Sequence, residues 1–508
     1  MNRITTLVDG FLNHVTMYRL VLYYVGALLL GDFALGFVGL APNDPAQLAA
    51  STLLIGLVAW VTNFAFAKAL RIPANSDSVY ITAGILALIM PPVAPTDITG
   101  LAGLALAAFA AIASKFGLAV FGKHIFNPVA VGAIVAYYAL DQSATWWVGG
   151  NLELLPIVLI GGLLILRKLQ RFEMFGAYVL ANLVATALTT SPSMYGEAFV
   201  QTFLHSPLLF AGFAMLTEPF TAPAKIYPSL GFGAIVGALS SPNIHIGEFY
   251  FTPELAFLIG NVFAWIVSPK FRYRLTLQRI EKKAQGAYDY VFSSNRPMVF
   301  EAGQYLDWTM AVRSPDNRGN RRSFTIASAP SESEVRLGVK FYPNPSTFKQ
   351  GLLHMKPGQR LYAGQLAGEF TLPNNVEQKL AFIAGGIGVT PFRSMVQELM
   401  SRGESRDIVM FYGNNKADEI AYREIFDHAC TAIDFKCVYA VAEPGANSGN
   451  FHQGFIDKSL IVRMAPDFKD RIFYLAGPRA LVVRYQNVLA ELDIPWSHIK
   501  TDFFPGFA

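Results

Sequence analysis

Apolar residues dominate the first half of the chain, where they form ten segments separated by short polar connections. Several segments are shorter than the ~20 residues that a straight transmembrane helix needs. Pro and Gly stand near their ends, as in the IMPPVAP that closes the third segment. We therefore predict a polytopic α-helical membrane domain over 1–270, with some helices broken or re-entrant. The ten segments cover residues 20–40, 49–67, 79–95, 99–114, 127–141, 153–166, 173–190, 206–221, 228–241 and 254–268.

The second half follows two other patterns. Apolar and polar positions alternate in YRLTLQRIEKK, AYDYVFSS, GQYLDWTMAV and VRLGVKFY. This period of two is typical of strands, so we predict an antiparallel β-barrel over 271–375. From 376 to 508 the apolar runs LAFIAG, IVMFYG, KCVYAV and IFYLAGP alternate with helical patterns. That order predicts an α/β doubly wound domain, which binds ligands at the carboxyl ends of its strands.

The distribution of charge orients the predicted membrane domain. Charged residues are 15% of the chain, against about 25% in soluble domains, and only eleven of the 40 Lys and Arg lie in 1–270. These eleven occupy the N-terminal tail, the exit and alternate connections, while the other connections contain Asp and Glu. Because cytoplasmic connections carry the positive residues, we predict an inner-membrane protein with both termini in the cytoplasm. No dense basic stripe occurs, so nucleic acid is not an expected partner.

Cysteine and histidine positions limit the metal chemistry that the chain can carry. Cys430 and Cys437 are its two cysteines, too few to ligate an iron–sulfur cluster. Transmembrane haem needs paired histidines on facing helices, and the histidines before residue 271 lie near segment ends or in connections. We therefore predict no iron–sulfur cluster, no haem and no metal site. Those histidines are His14, His124, His205 and His245.

A glycine-rich loop, GGIGVTP (385–391), separates an apolar run from a helical one. Glycines allow a tight turn, and the N-terminus of the helix that follows presents free N–H groups and a partial positive charge to an anion. The loop therefore predicts a site for the phosphates of a nucleotide. The strand IVMFYG is followed by Asn414, Asn415 and Lys416, which include neither an acid for a ribose hydroxyl nor an arginine for a 2′-phosphate. The choice between NADH and NADPH stays open.

Further motifs link the second half with a known family. RSFTIAS (322–328), GVKFYPNPSTFKQGL, GEFTLP, GGIGVTP and LAGP (475–478) occur in that order. Together they resemble the ferredoxin–NADP reductase family over 272–508. The resemblance implies NAD(P)H-dependent flavin oxidoreductase activity, with FAD in the barrel and NADH or NADPH on the α/β domain. The family's usual tyrosine is replaced here by Phe324, and its common Cys-Gly-Pro by Ala476-Gly477-Pro478.

The same resemblance implies roles for single residues. Arg322 would pair with the FAD diphosphate, Phe324 would stack on the flavin, and Thr325 would hydrogen-bond the reactive edge of its ring. Asp502 is a candidate proton carrier and, with Thr325, a candidate catalytic residue. Phe507 would cover the flavin. The other implied cofactor contacts are Ser323, Ile326, Ala327, Ser346, Thr347, Phe348, Gly385, Gly386, Gly388, Thr390, Pro391, Gly477 and Pro478.

The membrane half carries SDSVYITAGILALIMPPVAP (76–95), KHIFNPVAVG (123–132) and FAMLTEPFTAPAK (213–225). These motifs resemble the RnfD/NqrB family, the membrane subunits of the Rnf complex and of the sodium-pumping NADH:quinone reductase. The resemblance implies a flavin or quinone site lined by Phe126, Asn127 and Pro128, with Thr82 as a further candidate. The Ser-Gly-Ala-Thr motif of covalent FMN is missing from residues 187–205. We therefore predict no covalent FMN, and a noncovalent FMN or riboflavin in the membrane domain.

Several functions agree with these patterns. The leading hypothesis is a membrane oxidoreductase that passes electrons from NAD(P)H through FAD to the membrane flavin, and on to a quinone or an extracytoplasmic acceptor. Asp32, Asp77 and Glu218 in or beside apolar segments leave open a redox-driven ion transporter. A haem-containing ferric reductase or oxidase, and a flavin carrier with a reductase sensor, are two further hypotheses. The lipid bilayer is an expected partner, while a homo-oligomer or a partner redox protein stays open.

Overall fold

The computed structural model describes residues 8, 10–12, 15–41, 43–70, 76–121, 123–269, 271–310, 312, 316, 320–443 and 451–502. The chain divides into two compact units. We call Val15–Phe271 the helical unit. Arg272–Ala508, which groups with Met1–His14, is the carboxyl-terminal unit.

The described part of the helical unit consists almost entirely of helices. Four of them, Met17–Phe37, Pro45–Leu70, Ile98–Gly117 and Phe172–Thr189, are long and apolar enough to cross a membrane. Two short antiparallel strand pairs, β1 (Ala119–Val120) with β2 (Lys123–His124) and β3 (His245–Ile246) with β4 (Phe249–Tyr250), connect helices. The helices are α1 (Met17–Phe37), α2 (Pro45–Leu70), α3 (Ser76–Ile89), α4 (Ile98–Gly117), α5 (Pro128–Leu140), α6 (Leu155–Leu169), α7 (Phe172–Thr189), α8 (Tyr195–Leu204), α9 (Leu208–Ala214), α10 (Ile226–Leu239) and α11 (Pro253–Val267).

A helix overlaps each of the ten predicted segments, and two differences from the prediction have local causes. The segment 206–221 contains only the seven-residue α9, and turns follow it. Pro219 and Pro223 lie in those turns, and proline cannot donate the backbone hydrogen bond that would continue a helix. The helix α8 lies where we predicted a connection, because its ten residues mix polar and apolar side chains in too short a run to show a period. That all ten segments cross a membrane stays a prediction.

The first half of the carboxyl-terminal unit is a six-stranded antiparallel sheet, which we call the barrel lobe together with the short helix α12 (Thr347–Leu353). Its strand order is β8-β7-β10-β5-β6-β9. Trp308, Phe292 and Phe348 are fully buried in its core. The strands are β5 (Tyr273–Ala284), β6 (Ala287–Ser294), β7 (Tyr305–Thr309), β8 (Arg321–Thr325), β9 (Val335–Lys340) and β10 (Arg360–Ala367).

The second half is a six-stranded parallel sheet, which we call the parallel lobe together with its helices. The strand order is β14-β13-β12-β11-β15-β16. Alternate residues of β11 enter two separate apolar cores, one on each face of the sheet. The predicted doubly wound fold is confirmed. The elements are β11 (Leu380–Gly385), α13 (Thr390–Arg402), β12 (Ile408–Asn414), α14 (Arg423–Ala432), β13 (Phe435–Val441), β14 (His452–Gln453), α15 (Lys458–Met464), β15 (Ile472–Ala476), α16 (Arg479–Ala490) and β16 (Ile499–Asp502).

Candidate active site

The strand order of the parallel lobe reverses between β11 and β15. Sequence neighbours lie to one side of β11, and β15 lies directly on its other side. Open parallel sheets bind ligands in the crevice at the carboxyl ends of the strands at such a switch point. Predicted cofactor glycines lie at the ends of these two strands: Gly385 is the last residue of β11, Gly386 and Gly388 follow it, and Gly477 follows β15.

The two glycine segments approach each other closely. A Cβ atom placed on Gly388 would lie 2.4 Å from the Cα of Gly477, so Gly388 has no room for a side chain. Gly386 has a φ of +53°, which favours glycine. Thr390 and Pro391 begin α13, where the Thr390 hydroxyl donates to the Ile387 carbonyl at 3.3 Å. Backbone, not side chains, therefore forms this edge of the crevice.

A second group of predicted residues lies at the end of the barrel strand β8. Thr325 is its last residue, and Asp502 is the last residue of β16, beside Ala476 of β15. The Thr325 hydroxyl donates to Asp502 Oδ2 at 3.5 Å. Desolvation raises the pKa of Asp502 from its usual value near 3.8 to about 7, and the hydrogen bond from Thr325 opposes this rise. A carboxyl group with this pKa can accept and release a proton at neutral pH.

The predicted diphosphate contacts also lie near each other. Arg322 is buried on β8, and its Nη2 atom is 4.0 Å from the Oδ1 atom of Asp316. The Thr347 N–H at the start of α12 donates to Asp316 Oδ2 at 3.1 Å, and Ser346 caps the same helix by accepting from the Lys349 N–H at 3.3 Å. Asp316 had no sequence signal, because it is a single acid in a polar stretch. The guanidinium group of Arg322 and the Thr347 N–H, which both face this carboxylate, are donors of the kind that bind phosphate oxygens, so these two groups fit a diphosphate.

The remaining residues of the RSFTIAS motif, and Phe348 beside them, differ in how deeply their side chains are buried. Phe324 is half-buried and packs against Phe348, with the ring centroids 5.8 Å apart. The Ser323 hydroxyl donates to Asp307. Ile326, Ala327 and Phe348 are fully buried. Their side chains pack inside the fold, and the cofactor contacts implied for these three residues stay a prediction. Phe507 lies outside the described residues.

In the helical unit, Asn127 makes several hydrogen bonds within the protein. Its Oδ1 accepts from the N–H groups of Val129 and Ala130, at 3.0 and 3.3 Å, and so caps α5. Its Nδ2 donates to Glu218 Oε2 at 2.9 Å. Both oxygen lone pairs and one N–H are therefore used within the protein, and one N–H remains. The place of Asn127 in a flavin or quinone site stays a prediction.

The other predicted membrane-site residues have different surroundings. Phe126 is half-buried, and Pro128 is the buried first residue of α5. His124 Nε2 and Thr221 Oγ1 lie 3.3 and 3.0 Å from the carboxylate oxygens of Glu218. Thr82 belongs to another cluster, in which its hydroxyl accepts from the Lys115 ammonium at 2.8 Å.

Comparison with known proteins decides the chemistry of the carboxyl-terminal unit. Residues 382–487 match the model of the oxidoreductase NAD-binding domain family. The chain is 28% identical over 220 residues to a flavohemoprotein of Halalkalibacterium halodurans, a match that covers 40% of this chain and 52% of the relative. The carboxyl-terminal unit is an NAD(P)H-dependent flavin oxidoreductase. The predicted use of FAD and NAD(P)H by this oxidoreductase unit agrees with the family of the match.

One further protein and one solved structure are similar to this chain over 46% of its length. The glycine betaine monooxygenase reductase subunit of Chromohalobacter salexigens is 22% identical over 240 residues, which are 46% of this chain and 64% of that protein. The crystal structure of the FAD/NAD-binding domain of nitric oxide dioxygenase from Vibrio cholerae matches with a TM-score of 0.41 and 18% identity, over 46% of this chain and 98% of that one. The chain spans about half the length of the flavohemoproteins that it matches.

Proposed function

We propose that the chain is a membrane oxidoreductase that carries electrons from NAD(P)H, through FAD, to a noncovalent flavin in the helical unit. From there the electrons pass to a quinone or an extracytoplasmic acceptor. The observation that carries the proposal is the union, in one chain, of four helices able to cross a membrane with a flavin oxidoreductase unit. The positive residues of the alternate connections support an inner-membrane location with both termini in the cytoplasm.

In the first step, the transfer of electrons from NAD(P)H to FAD, different residues of the carboxyl-terminal unit would have different roles. Arg322 and the N-terminus of α12 would hold the diphosphate of FAD, and the half-buried ring of Phe324 would lie against the flavin. The glycines at 388 and 477 let two loops pack together at the edge where a nicotinamide would approach. Thr325 and Asp502 would hold a proton at the Asp502 carboxyl group. When bound, FAD supplies the conversion between hydride transfer and single-electron transfer.

The proposal places FMN or riboflavin in the helical unit without assigning its ring to Asn127. The cap of α5 and the Glu218 carboxylate occupy most of the hydrogen-bonding capacity of that side chain. The resemblance of the sequence motifs to the RnfD/NqrB family is the reason for placing a flavin in this unit, and the ring of Phe126 is half-buried.

A second candidate function, redox-driven ion transport, is favoured by one specific observation. Asp32 is completely buried in α1. It accepts hydrogen bonds from Asn43 at 2.9 Å and from Asn151 at 3.1 Å. An intramembrane carboxylate bound by neutral amides is a functional candidate for cation or proton transfer. This function would add ion movement to the same electron path.

Cofactor analysis of the detergent-purified full chain tests the proposal. Acid extraction with flavin chromatography should recover FAD together with FMN or riboflavin, and a pyridine haemochrome assay should detect no haem. The variant Arg322→Ala should lose FAD and keep the second flavin. Recovery of FAD alone would contradict a flavin in the helical unit. Haem in the purified chain would support a haem-containing reductase or oxidase instead.

A further inference from the structure

A buried ion pair connects the two lobes of the carboxyl-terminal unit directly behind the candidate site. Arg393, in the first turn of α13, is 4% exposed. Its Nη2 donates to Glu332 Oε1 of the barrel lobe at 2.9 Å, and its Nη1 contacts Glu332 Oε2. The same Nη1 donates to the Ala327 carbonyl at 3.0 Å. The guanidinium group thus bridges a side chain and the backbone that follows the flavin motif.

Two neighbouring contacts extend this link along α13. The Ser394 hydroxyl donates to the Ser328 carbonyl at 2.7 Å. One turn further, Glu398 Oε2 accepts from the Ser331 N–H at 2.9 Å. One face of α13 therefore holds the barrel-lobe segment 327–332, and that segment begins two residues after Thr325.

A third contact, deeper between the lobes, restricts movement of the barrel lobe relative to the parallel lobe. The Tyr422 hydroxyl, at the start of α14, donates to the completely buried Asp289 of β6. A Cβ atom on Gly338 of β9 would lie 2.5 Å from the Tyr422 Oη atom and 2.6 Å from Thr390 Cγ2. The barrel lobe thus meets the first residue of α13 without an intervening side chain.

Arg393 and its partner Ala327 each lie close in sequence to a residue predicted to contact a cofactor. Arg393 lies five residues after Gly388 in the same loop-and-helix segment. Its partner Ala327 lies three residues after Phe324. The bridge therefore joins the segment that would hold the nicotinamide to the strand that would hold the flavin. Hydrogen bonds donated by a planar guanidinium group constrain direction as well as distance, which apolar contacts do not.

We propose that Arg393 is a positioning residue for hydride transfer, and that its bridge to Glu332 and Ala327 sets the distance between the nicotinamide and the flavin. The inference rests on the proposed FAD and NAD(P)H sites. In the step concerned, the C4–H bond of NAD(P)H breaks and its hydride, a proton with two electrons, goes to the flavin. NAD(P)H is oxidised to NAD(P)⁺ as the flavin is reduced. Arg393 contacts neither reactant and acts through the two segments that it joins.

The test uses the full-length protein with bound FAD in anaerobic stopped-flow experiments. Arg393→Lys keeps the charge and removes the two-pronged geometry, while Arg393→Gln also removes the charge. We expect flavin reduction at saturating NAD(P)H to slow by about 10- to 100-fold, because misplacement of reactants by about 1 Å has an effect of this size. The apparent Kd of NAD(P)H and the FAD content should stay near wild type, and the deuterium isotope effect from C4-labelled nucleotide should rise.

A matched control and a coupling measurement separate positioning from general damage. Arg463→Gln removes the same charge from an exposed position on α15 and should leave the reduction rate within about twofold. Glu332→Gln should slow reduction like Arg393→Gln, and the double variant should be no slower than either single one, since both remove the same bridge. Glu332→Gln, which keeps Arg393 in place, tests the same bridge if the arginine variants fail to fold.

The outcomes distinguish this inference from the proposed function. If the wild-type chain is reduced by NAD(P)H, and the Arg393 variants are reduced at the same rate with an unchanged isotope effect, the positioning role is wrong. A rate that falls only in proportion to lost FAD would overturn it as well. A wild-type chain that binds no FAD would overturn the proposed function and this inference together.

Discussion

Thr325 and Asp502 are separated by 177 residues, yet the Thr325 hydroxyl donates to the Asp502 carboxylate at 3.5 Å. One residue ends the strand that carries the flavin motif, and the other ends the edge strand of the parallel lobe. The pair therefore lies where the two lobes meet, beside the glycines of the switch point. Its position and the raised pKa of Asp502 make it the proton-handling group of the proposed site.

Turnover should depend on pH through the Asp502 carboxyl group. Because the pKa of Asp502 is raised to about 7, the rate of steady-state NAD(P)H oxidation should change through a titration near pH 7. Asp502→Asn, which cannot titrate, should remove that transition and slow turnover by about 10- to 100-fold at its optimum, the usual share of one proton-transfer group. Rate profiles from pH 5 to pH 9 measure this. A transition that persists in Asp502→Asn would assign the titration to another group.

The same carboxyl group should affect stability. Its pKa is higher in the folded protein than the unfolded value near 3.8, so the folded state binds this proton more tightly. The contribution of Asp502 to stability is therefore complete below about pH 4 and is lost as the pH rises to about 7. Asp502→Asn should raise the melting temperature of the carboxyl-terminal unit at pH 8 relative to wild type, with a smaller gain at pH 5. Thermal release of FAD fluorescence measures both, and an equal gain at the two pH values would contradict the assignment.

FAD retention should depend on Arg322. Hydrogen bonds from a charged donor contribute about 1.5–3 kcal/mol each, so Arg322→Ala should weaken FAD binding by at least about 10-fold. The adjacent Arg321, which donates to the Thr309 hydroxyl at 3.2 Å, gives the matched control. Arg321→Ala should retain FAD. Equal FAD content in the two purified variants would place the diphosphate elsewhere.

Hydride delivery should depend on the close approach of two loops. A Cβ at Gly388 would lie 2.4 Å from the Cα of Gly477, so Gly388→Ala must displace backbone in the crevice. We expect reduction of the bound flavin by NAD(P)H to fall by about 100-fold, as for reactants moved by about 1 Å, while dithionite still reduces the flavin. Gly413→Ala is the control at the same edge of the sheet, since its Cβ would meet Ile456 Cδ1 at an ordinary 3.4 Å. Rapid reduction of Gly388→Ala would mean that the nicotinamide binds away from this loop.

The helical unit should respond to the cap of α5. Asn127→Leu removes two hydrogen bonds to backbone N–H groups and the contact with Glu218. Loss of such a cap costs about 1–2 kcal/mol, so the helical unit should melt at a lower temperature while NAD(P)H still reduces FAD at the wild-type rate. Asn127→Ser preserves a capping oxygen and should restore most of the stability. A loss of FAD reduction in Asn127→Leu would contradict a purely local role.

Sequence patterns were sufficient for features that are local along the chain. The alternation of apolar residues predicted the strands of the barrel lobe, and the glycines of GGIGVTP predicted a tight turn before a helix, because each depends on neighbouring residues. The bridge between Arg393 and Glu332 depends on packing between residues 61 apart, and no periodic pattern marks it. Asp316 and α8 were missed for similar reasons, one as a single acid and the other as a short mixed run. The capping role of Asn127 could not be predicted, because the Asn-Pro dipeptide that begins the helix α5 also belongs to the motif that resembles a flavin site.

The most direct test of the central claim counts the reducing equivalents that the full chain accepts from NAD(P)H. An anaerobic titration of the purified protein, followed by flavin absorbance, compares hydride equivalents consumed with FAD present. The proposed electron path predicts more than one hydride equivalent per FAD, and in Arg322→Ala a membrane flavin that dithionite reduces and NAD(P)H does not. Uptake of one equivalent per FAD, with no second centre reduced, would contradict transfer into the helical unit.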